Sequence, residues 1–365
     1  MRLGELAEPV QKRSVFRQLN MDECVGTAFA TVSEVPGFEG LMEPLVTEAA
    51  NRLFASGFVP QSLAVYGLLP PSCEECALQA DMKQLAAAAR QYSIEVTDAR
   101  AEVTTAVVRP QYIVTVHGTE GCGCRRAGGQ DAQADDNGGL AHQDGDSFAQ
   151  RDGQIYRYAA SKVSRDRGDG SVQRDDPAAL HPGDDLVLTK WIALGGTAAL
   201  ARVFGDELRS RYPYSLIDRA KEFEKLMSVE TEARAATHFG PCAMHSLSEG
   251  GIFNALWRMA ERAGVGLEVD LKKIPVKQET IEICEYFDIN PYYLYSAGAL
   301  LIGAGNGQEL VSELERAGVP AAVIGRATEG KRRVIRNGGE ERFLDRPQQE
   351  EWYRRAAGMV RIAGK

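Results

Sequence analysis

Eight consecutive residues, Met244-His245-Ser246-Leu247-Ser248-Glu249-Gly250-Gly251, combine what an anion-binding turn needs. A histidine and two serines lead into paired glycines, and the apolar periodicity over 252–263 predicts a helix directly afterwards. Glycines let backbone N–H groups approach an anion, and a helix N-terminus adds partial positive charge, so such a turn suits a phosphate. The same pattern also fits an ordinary helix start capped by Ser246 or Ser248. A second glycine pair, Gly195-Gly196 before Thr197, follows a strand near Lys190, which reads either as a phosphate-facing cation or as a solvated strand-end lysine. Cys73-x-x-Cys76 and Cys122-x-Cys124 have spacings that suit zinc or an iron–sulfur cluster. Read structurally, the first pair belongs to a helix start and the second to a polar insertion, while Cys24, Cys242 and Cys284 read as core.

The elements that must position these groups follow from periodicity and punctuation. Helices are predicted over 9–19, 41–56 and 73–91, and strands over 61–69, 94–97, 102–108 and 112–117. Gly57 is placed to stop the second helix in a left-handed turn. From 121 to 180 large apolar groups are scarce, which predicts a mobile Gly/Asp/Arg-rich insertion with one ordered island at 155–158. Order resumes with a strand over 186–191, a helix over 195–209 and a long helix over 213–237. After the glycine turn come helices over 252–263, 278–287 and 308–317, with strands over 267–269, 299–302, 321–324 and 333–335. Such interleaving indicates an α+β or α/β layer fold.

Composition sets outer limits. The 365 residues suggest about two domains, and 44% apolar with 25% charged residues is ordinary for a globular protein. A net charge of -9 argues against a general nucleic-acid binder, and the absence of a long apolar run argues against a membrane partner. An acid-bearing N-terminus does not read as a signal peptide, and seven cysteines fit reduced thiols, so a cytoplasmic protein is expected.

The run Pro182-Gly183-Asp184-Asp185-Leu186-Val187-Leu188-Thr189-Lys190-Trp191-Ile192-Ala193-Leu194-Gly195-Gly196-Thr197 resembles the opening of the second domain in the aminoimidazole ribonucleotide (AIR) synthetase, or PurM, superfamily. Within it, the chain is most similar to the branch of HypE-like hydrogenase maturation factors and AIR synthase-related proteins. His245 to Gly251 sits where that family has Met-His-Asp-x-Thr-x-Gly-Gly. Ile274-Pro275-Val276, Glu282-Ile283-Cys284, Asn290-Pro291, Ala50-Asn51 and Leu68-Leu69-Pro70-Pro71 extend the likeness. The resemblance implies an α+β, two-domain PurM/HypE-like fold. Residues 1–120 would contribute strands to a β-barrel at a homodimer interface, and 181–346 would form an α/β domain. The insertion at 121–180 would separate them, and 347–365 would be a charged tail. It also implies ATP and Mg2+ in a cleft, where metal ions and N–H donors neutralise a transferred phosphoryl group.

Several motif positions depart from the family. Its first acidic motif falls on Met21-Asp22-Glu23-Cys24, its Asn-Asp on Asn51-Arg52, and its third on Asp98-Ala99-Arg100-Ala101-Glu102. Ser246 stands where an aspartate is expected. Magnesium takes hard oxygen ligands, so Arg52 and Ser246 in place of carboxylates predict weakened metal binding and leave Glu23 as the candidate metal ligand. Arg52 reads as a phosphate-binding cation or as a solvated helix residue. The last residue is Lys365 rather than the maturation factor's terminal cysteine, which predicts against its nitrile-forming reaction in the usual form. The resulting candidate cleft has Asn51 and Glu102 on one side. Lys190, Gly195, Gly196, Thr197, His245, Ser246, Ser248, Gly250 and Gly251 form the other. Two functions are open: a nucleotide- or phosphate-binding HypE-like protein acting in ATP-dependent activation, and a non-catalytic homodimeric scaffold or regulatory paralogue.

Overall fold

Two sheets, with helices packed on and between them, organise the described residues of the computed structural model: 25–33, 42–120, 149–151, 154–156, 179–240 and 242–346. The N-terminal set is β1 (Val25–Ser33), α1 (Met42–Ala55), β2 (Phe58–Leu69), α2 (Glu75–Gln91), β3 (Glu95–Val103) and β4 (Gln111–Glu120). These strands order as β1-β4-β2-β3, antiparallel except for β2 beside β3. Alternation sets the two faces. Leu63, Val65, Tyr112, Val114 and Val116 are buried in the same core as Leu45, Val46, Ala49 and Leu53 of α1. On the opposite face stand Tyr66 and Ile113, both more than a third exposed. Gly57, at φ 81°, ends the α1 turn as anticipated.

A hairpin of β5 (Ala149–Arg151) and β6 (Gln154–Tyr156) overlaps the expected island. The rest of 121–178 lies outside the described residues, as do the expected helix at 9–19, Glu23, Cys24, Cys122, Cys124 and the tail.

The C-terminal set begins with β7 (Asp185–Thr189), α3 (Leu194–Val203), α4 (Gly205–Leu208), α5 (Tyr214–Lys221), a 3-10 turn (Glu222–Leu226) and α6 (Glu230–Phe239). It continues with β8 (Ala243–Ser246), α7 (Gly251–Ala263), β9 (Gly266–Asp270), a 3-10 turn (Leu271–Lys273) and α8 (Gln278–Phe287). Last come β10 (Leu300–Ala304), α9 (Gly307–Arg316), β11 (Ala321–Thr328), β12 (Arg333–Asn337) and β13 (Glu340–Phe343). The sheet runs β13-β12-β9-β11-β7-β10-β8, antiparallel except β12 beside β9. One face packs Leu186, Leu188 and Leu301 against Ile252, Leu256 and Ile283 of α7 and α8. The other face places Val187, Leu300 and Ile302 in the cluster that contains α1, α6 and α9. The fold is therefore mixed α+β with two sheets, and one apolar core runs through both. No helix among the described residues is long and apolar enough to cross a membrane.

Several expectations are corrected. The strands predicted at 94–97 and 102–108 are one strand, β3, paired with β2 from Glu95 to Val103. Strands β1, β8 and β13 were not anticipated. The helix predicted at 195–209 divides at Phe204 into α3 and α4. The helix predicted at 213–237 breaks between Leu226 and Glu230 without any glycine or proline.

Tertiary hydrogen bonds hold that break. The Asn51 side chain, buried on α1, donates to the Met227 carbonyl at 2.7 Å and accepts from the Val229 N–H at 3.0 Å. Lys190 donates to the carbonyls of Leu226 (2.9 Å) and Ser228 (2.6 Å) and pairs with Glu232 Oε1 at 2.7 Å. Burial pushes the Lys190 ammonium down and the Glu232 carboxyl up, and their mutual attraction opposes both shifts. Lys190 also turns the chain out of β7 at φ 52°. Asn51→Ala should cost about 2 to 4 kcal/mol in urea unfolding by stranding two buried backbone groups. Lys190→Met should cost about 3 to 5 kcal/mol by leaving Glu232 unpaired. The exposed control Gln79→Ala should stay within about 0.5 kcal/mol; equal effects for all three would remove the clasp.

Candidate functional site

The glycine turn begins on an edge strand. His245 and Ser246 of β8 lie opposite Leu301 and Leu300 of β10, and α1 packs against β8. Beyond Ser246, the Leu247 N–H donates to the Ala299 carbonyl at 2.9 Å. Gly250 (φ 77°) is the N-cap of α7, and Gly251 (φ 64°) is its first residue. No side chain caps this helix, so the expected Ser246 or Ser248 cap is not formed. Both glycines are required by space as well as by φ. A Cβ at Gly250 would lie 1.6 Å from Asn254 Nδ2, and one at Gly251 would lie 2.4 Å from the Tyr292 carbonyl oxygen.

The other glycine pair meets the same stretch of chain. A Cβ at Gly195 would lie 2.7 Å from the Tyr295 ring, and one at Gly196 would lie 2.4 Å from Leu294. The Gly196 N–H donates to the Tyr295 carbonyl at 2.8 Å, and the Thr197 hydroxyl shares a 2.9 Å hydrogen bond with Thr280. Ser296 accepts from the Ala193 N–H at 2.8 Å, while its own N–H donates to the Ser248 carbonyl at 3.2 Å. The structure thus brings Gly195, Gly196 and Thr197 together with Ser248, Gly250 and Gly251 through the segment 292–296. At the first turn of α3, that segment fills the space a ligand would need.

Packed against β8, α1 presents Glu48 and Arg52. Arg52 Nη2 donates to Glu48 Oε1 at 2.5 Å, and its side chain is only 17% exposed. The Tyr295 hydroxyl approaches Glu48 Oε2 at 3.4 Å. Burial above all, then Arg258, Arg262 and Arg52, pushes the His245 imidazole down to about 3. Burial, Glu48 and Glu249 together push the Tyr295 phenol well above its usual value. Near neutral pH both groups are therefore uncharged, and the charges around the turn come from the three arginines and the two glutamates.

The remaining predicted residues stand elsewhere. Glu102 is exposed on β3 opposite Leu68, on the face of the sheet turned away from α1, and accepts from the Tyr66 hydroxyl at 2.7 Å. It does not meet Asn51. Asn51 and Lys190 lie where α1 meets the C-terminal elements, with their polar atoms engaged at the break over 226–229. The residues missed are Glu48, Arg258, Arg262 and Tyr295. Glu48 and Arg52, like Arg258 and Arg262, are four apart on a helix, a spacing visible in the sequence. Nothing local marks Tyr295. A cavity of about 310 Å³ is lined by residues of β7, β9, β11, β12 and the 3-10 turn after β9, and by none from either glycine turn.

Metal binding fares poorly. Around the turn stand imidazole, hydroxyls, guanidiniums and two carboxylates, of which Glu48 is engaged by Arg52 and Tyr295 and only Glu249 belongs to the turn itself, a donor set that does not fit Mg2+. No group of three or more His, Cys, Asp or Glu among the described residues could hold a metal ion. Of the four thiols considered for a metal, Cys73 and Cys76 lie among the described residues and Cys122 and Cys124 lie outside them.

Comparison with known proteins identifies the relatives. Residues 181–337 match the family described as AIR synthase related protein, C-terminal domain. The carbamoyl dehydratase HypE of Rhodobacter capsulatus is 24% identical over 179 residues, which is 45% of this chain and 51% of that protein. The match thus spans about half the length of that curated relative. The crystal structure of E. coli HypE superposes with a TM-score of 0.66 at 17% identity, covering 96% of this chain and 97% of that one. A crystal structure of HypE in complex with ATP superposes at 0.59 and 15% identity, covering 93% and 88%.

His245 gives the protein a specific acid sensitivity. Its folded value is about 3 against 6.5 for the unperturbed group, so between these pH values the unfolded chain binds a proton that the folded protein refuses. Stability from this residue is complete above about pH 6.5 and falls by up to about 1.4 kcal/mol per unit as pH drops below it. In urea unfolding from about pH 4.5 to about 7, His245→Gln should flatten that decline; parallel curves would exclude the histidine as its source.

Proposed function

We propose, for a chain whose residues 181–337 form an AIR synthase-related domain within a PurM/HypE-like fold, that the α1–β8 junction is a phosphate- or nucleotide-binding site served by arginine instead of a metal. The observation that carries this reading is Arg52. It occupies a position where the resemblance implies a carboxylate, is anchored by Glu48, and contributes with Arg258 and Arg262 to the positive potential at His245. Guanidinium groups bind phosphate oxygens through paired N–H donors, whereas a carboxylate needs an intervening cation. Because Mg2+ does not fit the donors present, no step is assigned to it. A HypE structure that contains ATP supports a nucleotide triphosphate as the ligand to test. On this reading Arg52 and the Ser248 side chain make the contacts, and Gly250 and Gly251 shape the turn that carries them. Asn51, Lys190, Gly195, Gly196 and Thr197 build the wall behind them, and Glu102 belongs to the opposite face of the sheet.

A second reading, the non-catalytic scaffold, has one observation in its favour. Tyr295 is packed between Gly195 and Glu48, beside the place a ligand would enter. Calorimetry separates the two. ATP should bind equally well, within about threefold, with magnesium or with chelator. Arg52→Met should weaken it by about tenfold or more, as expected for a lost charged hydrogen bond. No heat at millimolar ATP would leave the scaffold reading in place.

The same fold supports a homodimer through the open face of the N-terminal sheet, where Tyr66 and Ile113 stand exposed between Ala64, Leu68 and Thr115. Closing two such sheets into a barrel would bury these residues and remove the unpaired edges. Sedimentation equilibrium should give a dimer that Ile113→Asp converts to monomer; a monomeric parent protein would end this proposal.

A further inference from the structure

The one cysteine pair among the described residues takes no part in the junction site. We propose that Cys73 and Cys76 are a thiol–disulfide exchange site, forming a reversible intramolecular disulfide with a low-molecular-weight disulfide such as oxidised glutathione as the oxidant. Three observations carry it. The residues sit three apart where α2 begins, with Glu74 as the N-cap and Cys76 in the first turn. Two residues between the cysteines, at a helix N-terminus, is the spacing of the Cys-x-x-Cys exchange motif. Both thiols already lie against one residue: Cys73 Sγ is 3.8 Å from the Glu74 carbonyl oxygen, and Cys76 Sγ is 3.4 Å from its carboxylate.

Exposure then assigns the roles. Cys76 is exposed, whereas Cys73 is half-buried, packs against the N-terminal core and is fixed by its N–H donating to the Pro70 carbonyl at 3.0 Å. Cys242 and Cys284 are buried, and burial raises the Cys242 thiol to about 11, which leaves both inert by comparison. A metal is the poorer alternative, because no group of three or more His, Cys, Asp or Glu among the described residues could hold one.

The chemistry balances with two protein thiols and one small disulfide. The Cys76 thiolate attacks one sulfur of the oxidant, forming a mixed disulfide and releasing one thiolate, which takes up the proton Cys76 lost. The Cys73 thiolate then attacks the Cys76 sulfur and expels the second thiol, protonated in turn. The protein loses two hydrogens and the oxidant gains them.

Tryptic cleavage after Arg52 and Lys83 isolates both residues in a peptide, 53–83, that contains no other cysteine. After incubation of the full chain with oxidised glutathione and alkylation of remaining thiols, this peptide should be lighter by two hydrogens and carry no adduct. Cys73→Ser should instead accumulate glutathione on Cys76. The proposal is overturned if the parent peptide stays fully alkylated, retains glutathione as the variant does, or appears cross-linked to a peptide bearing another cysteine.

Discussion

Four residues that belong to no regular helix, Leu226 to Val229, decide how the two halves of this protein meet. Buried backbone groups must find partners, and here the partners are side chains from two directions. Asn51 reaches from the N-terminal half and Lys190 from the end of β7, so the break is satisfied only when both are in place. Each alone would be an expensive group to bury, the lysine most of all. Joined through one short segment and completed by Glu232, they fix α1 against the C-terminal sheet. The apolar cluster shared by α1, α6 and α9 supplies the bulk of the attraction, and the clasp sets its register.

That register gives Arg52 its meaning. A residue beside Asn51 on α1 cannot avoid the junction, because the helix is held with Asn51 against the break and packs on β8. The arginine is accordingly largely buried and paired with Glu48 rather than solvated. On the other wall, the two glycine pairs are separated by more than fifty residues in sequence yet pack on the same segment, 292–296. Their missing side chains serve first to let Leu294 and the Tyr292 carbonyl approach. Close approach to an anion would be an additional use of the same absence, but it is closed at Gly196, whose N–H is taken by Tyr295, and at Gly251, whose N–H donates to the Ser248 carbonyl at 3.3 Å.

Local pattern made much of the fold legible. The apolar spacing of α1, the Gly57 stop, the alternation in β2 and the order of elements from β9 to β11 could all be read directly. What escaped was what depends on distant partners. The break over 226–229 contains no glycine or proline, and its cause lies 36 residues back at Lys190 and 176 residues back at Asn51. Strand β8 is four residues long and carries His245 and Ser246, so its polar end read as turn. Glu102 and Asn51 looked like neighbours in a cleft because family order placed them there. The pleat instead sends Glu102 to the face opposite α1.

On the proposed reading, Asn51 and Arg52 change the chemistry of a site while its architecture persists. Asn51 holds the domains through a neutral amide that both donates and accepts, a role a carboxylate cannot fill because it has no donor. Its neighbour is released from that duty and free to set the charge of the junction. An acidic group there would recruit a divalent cation, and the cation would then hold a phosphate. In the proposed site the arginine would meet the phosphate directly, with His245 kept neutral by burial and by the same guanidiniums. A metal bridging two phosphate oxygens also stabilises the charge that develops as a phosphoryl group departs; a fixed guanidinium at one end of the site does so less. The proposed junction is therefore better built for holding a phosphorylated ligand than for breaking its anhydride bond.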